Sequence, residues 1–272
     1  MRCGIRLIFW ALLAGQSIAA MAQNPKQFVE RAVQTELAAD RNDHSRWIYF
    51  DIDRTPGKSV KQWVADTGQG SLHRVLEENG QPLPLAAQRT RMDRFILNPQ
   101  AQAKQRKSGQ HDDQQAEEML KLLPNAFIWS ISSKHNNQTT LHFKPDPNFK
   151  APDWETRVFA AMEGDLLVDD RQLRIVSLKG RLIHDVKFGW GLFGDLKEGG
   201  TFDVERRETG PSIWQITGTH VHIQGNALLF KDISQLEDDD KSQFKPLPGQ
   251  ISWNAAEAEL MKQGTAGAAA GK

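Results

Sequence analysis

The chain has 272 residues, 34 basic and 34 acidic side chains, and a single cysteine, Cys3. This balance of charge gives no support for nucleic acid or an anionic membrane surface as a partner. One cysteine excludes an intramolecular disulfide, so stability has to come from an ordinary hydrophobic core. The length suffices for one large domain, and no repeat or linker divides the chain.

The first 22 residues have the order of a cleaved secretory signal. Arg2 and Arg6 precede an apolar run from Leu7 to Ala14, and Ala20-Met21-Ala22 offers small residues at the two recognition positions. That order is typical of a signal peptide, and the run is far shorter than the roughly 20 residues of a membrane-spanning helix. We expect cleavage after Ala22 and a periplasmic or secreted protein; an uncleaved anchor is the alternative.

The first half of the mature chain, from residue 23, shows both helical and strand patterns. Asn24-Pro25 is typical of a helix start, and apolar residues from Phe28 to Leu37 share one helix face. Alternation of apolar and polar residues predicts three early strands. These strands are Trp47 to Asp53, Val60 to Asp66 and Ser71 to Glu78.

Two helices are predicted to follow. Helical spacing continues from Leu85 to Ile96 and again from about Gln114 until Pro124. Between these helices, the polar segment from Asn98 to Asp113 has almost nothing to bury and is interpreted as a mobile surface connection.

The later part of the chain is predicted to be almost wholly β. Strand patterns at 127–133, 139–143, 158–168, 173–178, 181–188, 201–208, 212–224 and 227–233 are separated by short turns. Short connections require antiparallel neighbours. We therefore predict an α+β, mainly β fold over residues 23–263: a strongly curved antiparallel sheet, an incomplete barrel, covered by an N-terminal helix and two inserted helices. Residues 264–272 are predicted to be a disordered tail.

Motifs for catalysis or cofactor binding are weak. Gly189 to Gly194 matches the G-x-G-x-x-G pattern, but no helix is predicted after it to hold a pyrophosphate. A hairpin loop is the simpler interpretation, and exposed Trp190, Leu192 and Phe193 would then offer an apolar contact for a lipid or an envelope protein partner.

Titratable residues do not assemble a site by spacing alone. His220 and His222 lie two apart on a predicted strand and share a face, and His184 could join them, but no third metal ligand is assigned. Asp51 with Asp53, and the run from Glu237 to Asp240, are interpreted as exposed. We therefore predict no metal, no cofactor and no catalytic residue.

The order of elements resembles the LolA/LolB-like lipoprotein-carrier fold. The resemblance rests on the Phe28 to Leu37 helix, the Trp47 to Glu78 strands, the Leu85 to Leu123 helices and the segment from Leu141 to Pro147. Members of that fold are incomplete β-barrels with helices over the mouth, and they hold acyl chains in an apolar hollow. The resemblance thus implies a non-catalytic periplasmic carrier of a lipid or lipoprotein acyl chain.

The apolar strand residues are the candidates for such a ligand-binding wall. They are Ile48, Phe50, Ile52, Trp129, Ile131, Leu141 and Phe143. The same alternation fits a filled core, so an extracytoplasmic interaction or scaffold protein is the second hypothesis. A metal-dependent hydrolase using the histidines is the third.

Cleavage of the signal is directly testable. N-terminal sequencing of exported protein should find a mature chain that begins near Gln23, because the small residues lie at the right distance from the apolar run. Exported protein that still begins at Met1 would contradict the expectation of a soluble periplasmic protein.

Overall fold

A computed structural model describes residues 24–188, 194–227 and 236–264. Helices α1 to α5 are, in chain order, Pro25–Asn42, Leu85–Ile96, Pro99–Ala126, Trp154–Phe159 and Trp253–Met261. Strands β1 to β8 are Arg46–Thr55, Lys58–Thr67, Gly70–Glu78, Gln81–Pro82, Phe127–His135, Gln138–Pro145, Met162–Asp169 and Arg174–Leu182. Strands β9 to β14 are Val186–Phe188, Gly194–Leu196, Thr201–Gly210, Ile213–His222, Gly225–Ala227 and Leu236–Leu247.

The fold is α+β and mainly β, as the sequence predicts, with 46% of the described residues in strands. Eleven strands form one antiparallel sheet in the order β4-β3-β2-β1-β14-β12-β11-β8-β7-β6-β5, and β9, β10 and β13 form a small second sheet. The large sheet is open: among the described residues, β4 and β5 are its edges. Strand β14 lies between β1 and β12, so the C-terminal strand joins the N-terminal meander to the rest of the sheet.

One hydrophobic cluster lies under α1. Asn24 caps this helix by accepting the Lys26 amide, and Pro25 stands in its first turn. Its apolar residues from Phe28 to Leu37 pack against β5 to β8 and against Leu123 near the end of α3. We call this side of the large sheet the α1 face.

A second cluster lies under α2 and α5. Ile48 and Phe50 of β1 pack with Trp63 of β2 and Leu72 of β3, and Met92 and Leu260 cover them from the helices. We call this side the α5 face. Beyond β14 the same face carries exposed ion pairs such as Lys179 with Asp203, because none of the described helices covers it there.

Helix α3 corrects the predicted surface connection. It runs unbroken from Pro99 to Ala126 and includes Asn98–Asp113 except for its cap, Asn98. Gln102 donates to the carbonyl oxygens of Phe95 and Ile96, and Gln105 exchanges hydrogen bonds with the backbone of Ser71. The polar side chains thus anchor the helix where an apolar stripe is missing. Pro124 lies inside its last turn instead of ending it.

The remaining differences lie in the C-terminal half. Residues 154–159 are helical, so the strand predicted from Val158 begins at Met162. The strand predicted from Arg181 to Phe188 is divided, because β8 ends at Leu182 and β9 belongs to the small sheet. Strand β14 and helix α5 were not predicted. The predicted signal and most of the predicted tail lie outside the described residues, although Gly264 accepts a hydrogen bond from Trp63 Nε1 at 2.9 Å.

The cluster on the α5 face gives a stability test. Leu260 is 0% exposed and Leu97 is 81% exposed. We expect Leu260→Ala to lower the free energy of unfolding by about 2–5 kcal/mol, because it leaves a cavity, and Leu97→Ala to change it by less than about 0.5 kcal/mol. Urea denaturation measures both, and equal effects would contradict the packing of α5 on the sheet.

Candidate functional site

Four of the seven predicted ligand-binding residues lie together on the α1 face. Trp129 and Ile131 belong to β5, Leu141 and Phe143 to β6, and all four lie in or against the cluster under α1. Leu141 and Phe143 are both 0% exposed. The Phe127 and Phe143 ring centroids are 4.6 Å apart and those of Trp129 and Phe143 are 5.5 Å apart. These residues form a packed apolar floor for α1.

The other three, Ile48, Phe50 and Ile52 of β1, lie on the opposite side of the sheet, in or against the cluster on the α5 face. The register explains the difference. Glu237 of β14 is paired with Val221, which packs against the α1 cluster, and Lys241 of the same strand is paired with Asp51. Because side chains alternate between faces, Asp51 shares the α1 face and its neighbours Phe50 and Ile52 do not. The seven residues therefore do not form one wall.

Helix α1 is tied to the sheet by a buried ionic cluster. Glu36 Oε2 lies 2.9 Å from Arg174 Nη2 and 2.6 Å from Arg206 Nη1, and Glu36 Oε1 accepts the Ile175 amide at 2.6 Å. Burial alone would raise the pKa of Glu36, but the hydrogen bonds and charges of the two arginines outweigh it and leave the pKa below its ordinary value.

A groove of about 760 Å³ opens beside this ionic cluster. The C-terminal half of α1 lines one side, and the turn between β11 and β12, with Ser212 and Trp214, lines the other. Exposed Asp40 and Asp43 stand at its rim. The groove is polar at its base and does not include the apolar floor.

The β1 to β3 half of the α1 face is charged instead of apolar. Asp51, interpreted from the sequence as exposed, is only 5% exposed and accepts a hydrogen bond from Gln62 Nε2 at 2.7 Å. Burial, followed by the hydrogen bond and the charge of Asp239, raises the pKa of Asp51 to about 8. The Lys241 ammonium contacts the Asp239 carboxylate from the same strand. The run from Glu237 to Asp240 thus lies in a strand, half-buried, and not in an exposed turn.

Neighbouring titratable side chains on this half are also perturbed. Burial, then the charges of Lys58 and Lys241, lowers the pKa of His73 to about 4. Burial, then the charges of nearby aspartates, raises the pKa of Tyr49 well above its ordinary value. A groove of about 640 Å³ separates His73 and Arg46 from α3. Both His73 and Tyr49 are therefore neutral at pH 7.

The two histidines of β12 are hydrogen-bonded to the same carboxylate. Asp238 Oδ1 lies 2.9 Å from His220 Nδ1 and 2.9 Å from His222 Nε2. His184 lies elsewhere, in a groove beside Pro145 and Arg157. Among the described residues, no group of three or more His, Cys, Asp or Glu side chains could hold a metal ion.

The apolar loop remains a prediction. Trp190, Leu192 and Phe193 lie outside the described residues, and Gly194 begins strand β10. The helix that a dinucleotide-binding motif requires after its last glycine is absent from that position.

Sequence reasoning missed Glu36 and the burial of Asp51. Glu36 had a usable signal, because its position continues the apolar side of α1 between Val33 and Leu37. The burial of Asp51 had no such signal, because alternation in β1 marks one side as apolar and does not show that Gln62 of β2 and Asp239 and Lys241 of β14 surround the other side.

Comparisons with known proteins leave the family open. No family model, no curated protein and no solved structure matches the chain. Within the residues that the structure describes, none of the helices has the length and apolar character needed to span a bilayer.

The Glu36 cluster generates a test of how α1 is held. Glu36→Gln should lower the free energy of unfolding by about 3 kcal/mol at pH 7, because two buried guanidinium groups lose their counter-charge. Since the pKa of Glu36 is lowered on folding, its contribution is present above pH 4.5 and is lost as the pH falls through the folded-state pKa. The difference between variant and wild type should therefore narrow in acid.

The matched control is Glu117→Gln, which removes an exposed pair with Lys121 four residues along α3. Its denaturation midpoint should equal that of the wild type within error. A Glu36→Gln variant as stable as this control would show that the ionic cluster does not hold α1.

Proposed function

We propose that this chain is a non-catalytic, exported protein that binds the acyl chain of a lipid or lipoprotein on the α1 face. The observation that carries the proposal is that α1 packs its apolar side into the same cluster as Trp129, Leu141 and Phe143, beside residues of α3 and α4. Displacement of α1 by a ligand would uncover the part of this apolar surface that the helix covers.

The energetics are sufficient for such an exchange. Burying each methylene contributes about 0.8 kcal/mol, so a chain of about twelve methylenes gains on the order of 10 kcal/mol. The helix gives up the burial of its own apolar residues from Phe28 to Leu37 and the ion pairs of Glu36 in return. The gain from the ligand and the loss at the helix oppose each other, and such opposition keeps an exchange reversible, as a carrier requires.

A hydrogen-bond donor in the floor also suits an acylated ligand. Trp129 is 8% exposed, and its Nε1 has no hydrogen-bond acceptor among the described residues. A buried indole N–H without an acceptor is costly. The ester or amide carbonyl of an acyl group would supply that acceptor, whereas a plain hydrocarbon would not.

An interaction or scaffold protein with a filled core is the second candidate. It is favoured by the complete burial of Leu141 and Phe143, and by the grooves beside α1 and α3, which are lined by other, mostly polar residues. We do not propose the metal-dependent hydrolase, because Asp238 bonds both β12 histidines and the described residues offer no third ligand.

Two substitutions on opposite faces test the proposal. Leu141→Trp enlarges the floor under α1 and should reduce uptake of a fluorescent fatty-acid probe at least tenfold. Phe50→Trp enlarges the other cluster and should leave uptake unchanged. Both substitutions overpack a buried cluster, at a cost of about 1–3 kcal/mol. Leu141→Trp adds more atoms than Phe50→Trp, so the uptake of each variant is compared together with its measured loss of stability.

Fluorescence titration measures uptake, and thermal denaturation checks that both variants remain folded. Equal loss of uptake in both would mean that the probe does not enter under α1. Wild-type protein that takes up no probe would favour the scaffold candidate instead.

A further inference from the structure

The carboxyl groups of Asp51 and Asp239 meet on the α1 face of adjacent strands. Asp51 is paired with Lys241 and Asp53 with Asp239, which makes Asp51 and Asp239 diagonal neighbours across β1 and β14. The register places their side chains on the same face of the sheet, one step apart along the two strands. Asp51 Oδ2 already accepts from Gln62, and Asp239 Oδ2 contacts the Lys241 ammonium. The two remaining oxygens, both named Oδ1, are buried and have no donor among the described residues.

Two carboxyl oxygens cannot bond to each other without a hydrogen. An ionised carboxylate only accepts, whereas a protonated one also donates. Two ionised carboxylates in contact repel, and burial strengthens the repulsion because water cannot screen it. One proton resolves the conflict, since the protonated carboxyl then donates to its ionised neighbour.

We propose that a single proton shared by Asp51 and Asp239 holds strand β14 against β1, and that its loss loosens the C-terminal strand. This proton can affect the whole sheet because of the position of β14. Among the described strands, β14 alone joins β1 to β12. The contact also adjoins an irregularity in the ladder between Ile48 and Phe50, and Gln243 of β14 has a φ of 57°. The pair therefore lies beside the least regular part of this pairing.

The surrounding cations do not neutralise the Asp51–Asp239 pair in place of the proton. Lys241 is the nearby cation common to Asp51, Asp66 and Glu237, so one ammonium serves several carboxyl groups. The other charged or titratable groups that face the pair or the adjoining groove are Arg46, Tyr49 and Asp53 of β1, Asp66 of β2, His73 of β3, Glu237 of β14 and, from α3, Arg106, Asp112 and Asp113. From β12, the residue paired with Asp239 is uncharged Thr219.

The sign of the pH effect follows from the direction of the pKa shift. Asp51 has a pKa of about 8 in the folded protein and 3.8 when exposed. Opening of β14 therefore releases a proton, and the stability of the contact falls as the pH rises from about 4 towards 8. His73, neutral when folded, has the opposite effect below pH 6.5. Between pH 6.5 and 8, His73 has no effect on stability and the effect of Asp51 can be measured alone.

Hydrogen exchange of the β1 and β14 amides tests the proposal in the full chain. After correction for intrinsic exchange, the opening constant of wild-type protein should rise about tenfold between pH 6.5 and 8. Asp51→Asn should abolish this dependence, because its amide donates to Asp239 without titrating. Asp53→Asn, on the same strand and paired with Asp239, should retain it.

A wild-type opening constant that does not change over this interval, or an Asp51→Asn variant that keeps the dependence, overturns the proposal. If Asp51→Asn does not fold, carbon NMR of wild-type protein labelled at aspartate carboxyls decides the question. One aspartate should titrate well above pH 6. If every aspartate titrates below pH 5, the shared proton does not exist. None of these measurements involves a ligand, so they stand apart from the acyl-binding proposal.

Discussion

The pairing of β14 with β1 is the constraint on which the rest of this structure depends. It joins residues 46–54 to residues 238–247, so most of the chain is closed into a loop before the ladder can form. Such long-range pairing costs chain entropy early and is rewarded only when the ladder is complete. Once formed, it places the N-terminal meander and the later strands in one sheet and gives them common faces.

Polar contacts fix elements that apolar packing alone leaves free. Glu36 ties α1 to β8 and β11. Arg74, 2% exposed, donates to Gln88 of α2 and to the carbonyl oxygens of Leu260 and Gln263, which anchors α5 on β3. Each of these groups is costly to bury without its partner, so each favours one arrangement of helix on sheet over nearby alternatives.

The strands with period-two alternation, such as β1, β5 and β6, could be predicted from sequence, as could α1 from its cap and apolar spacing. Strand β14 could not, because the run from Glu237 to Asp240 has neither alternation nor strand-favouring residues. Its neighbour on one side is β1, whose Arg54 lies 186 residues away in sequence from its partner Asp240. Alternation also could not show that the apolar sides of β1 and β6 face opposite ways, since that depends on the register of the strands between them.

Because the apolar sides of β1 and β6 lie on opposite faces of the sheet, the α1 face has an apolar half and a charged half. From β5 to β8 it is apolar and covered by α1, and from β14 to β3 it carries Asp51, Asp239 and Lys241 under the partial cover of α3. An acyl chain gains free energy only on the first half, because the second would have to desolvate charged groups. The proton that we propose to be shared by Asp51 and Asp239 lies on the second half. Because β14 connects the charged half to the apolar half through β12 and β11, loosening it would change the support of the apolar floor without altering any residue that lines it.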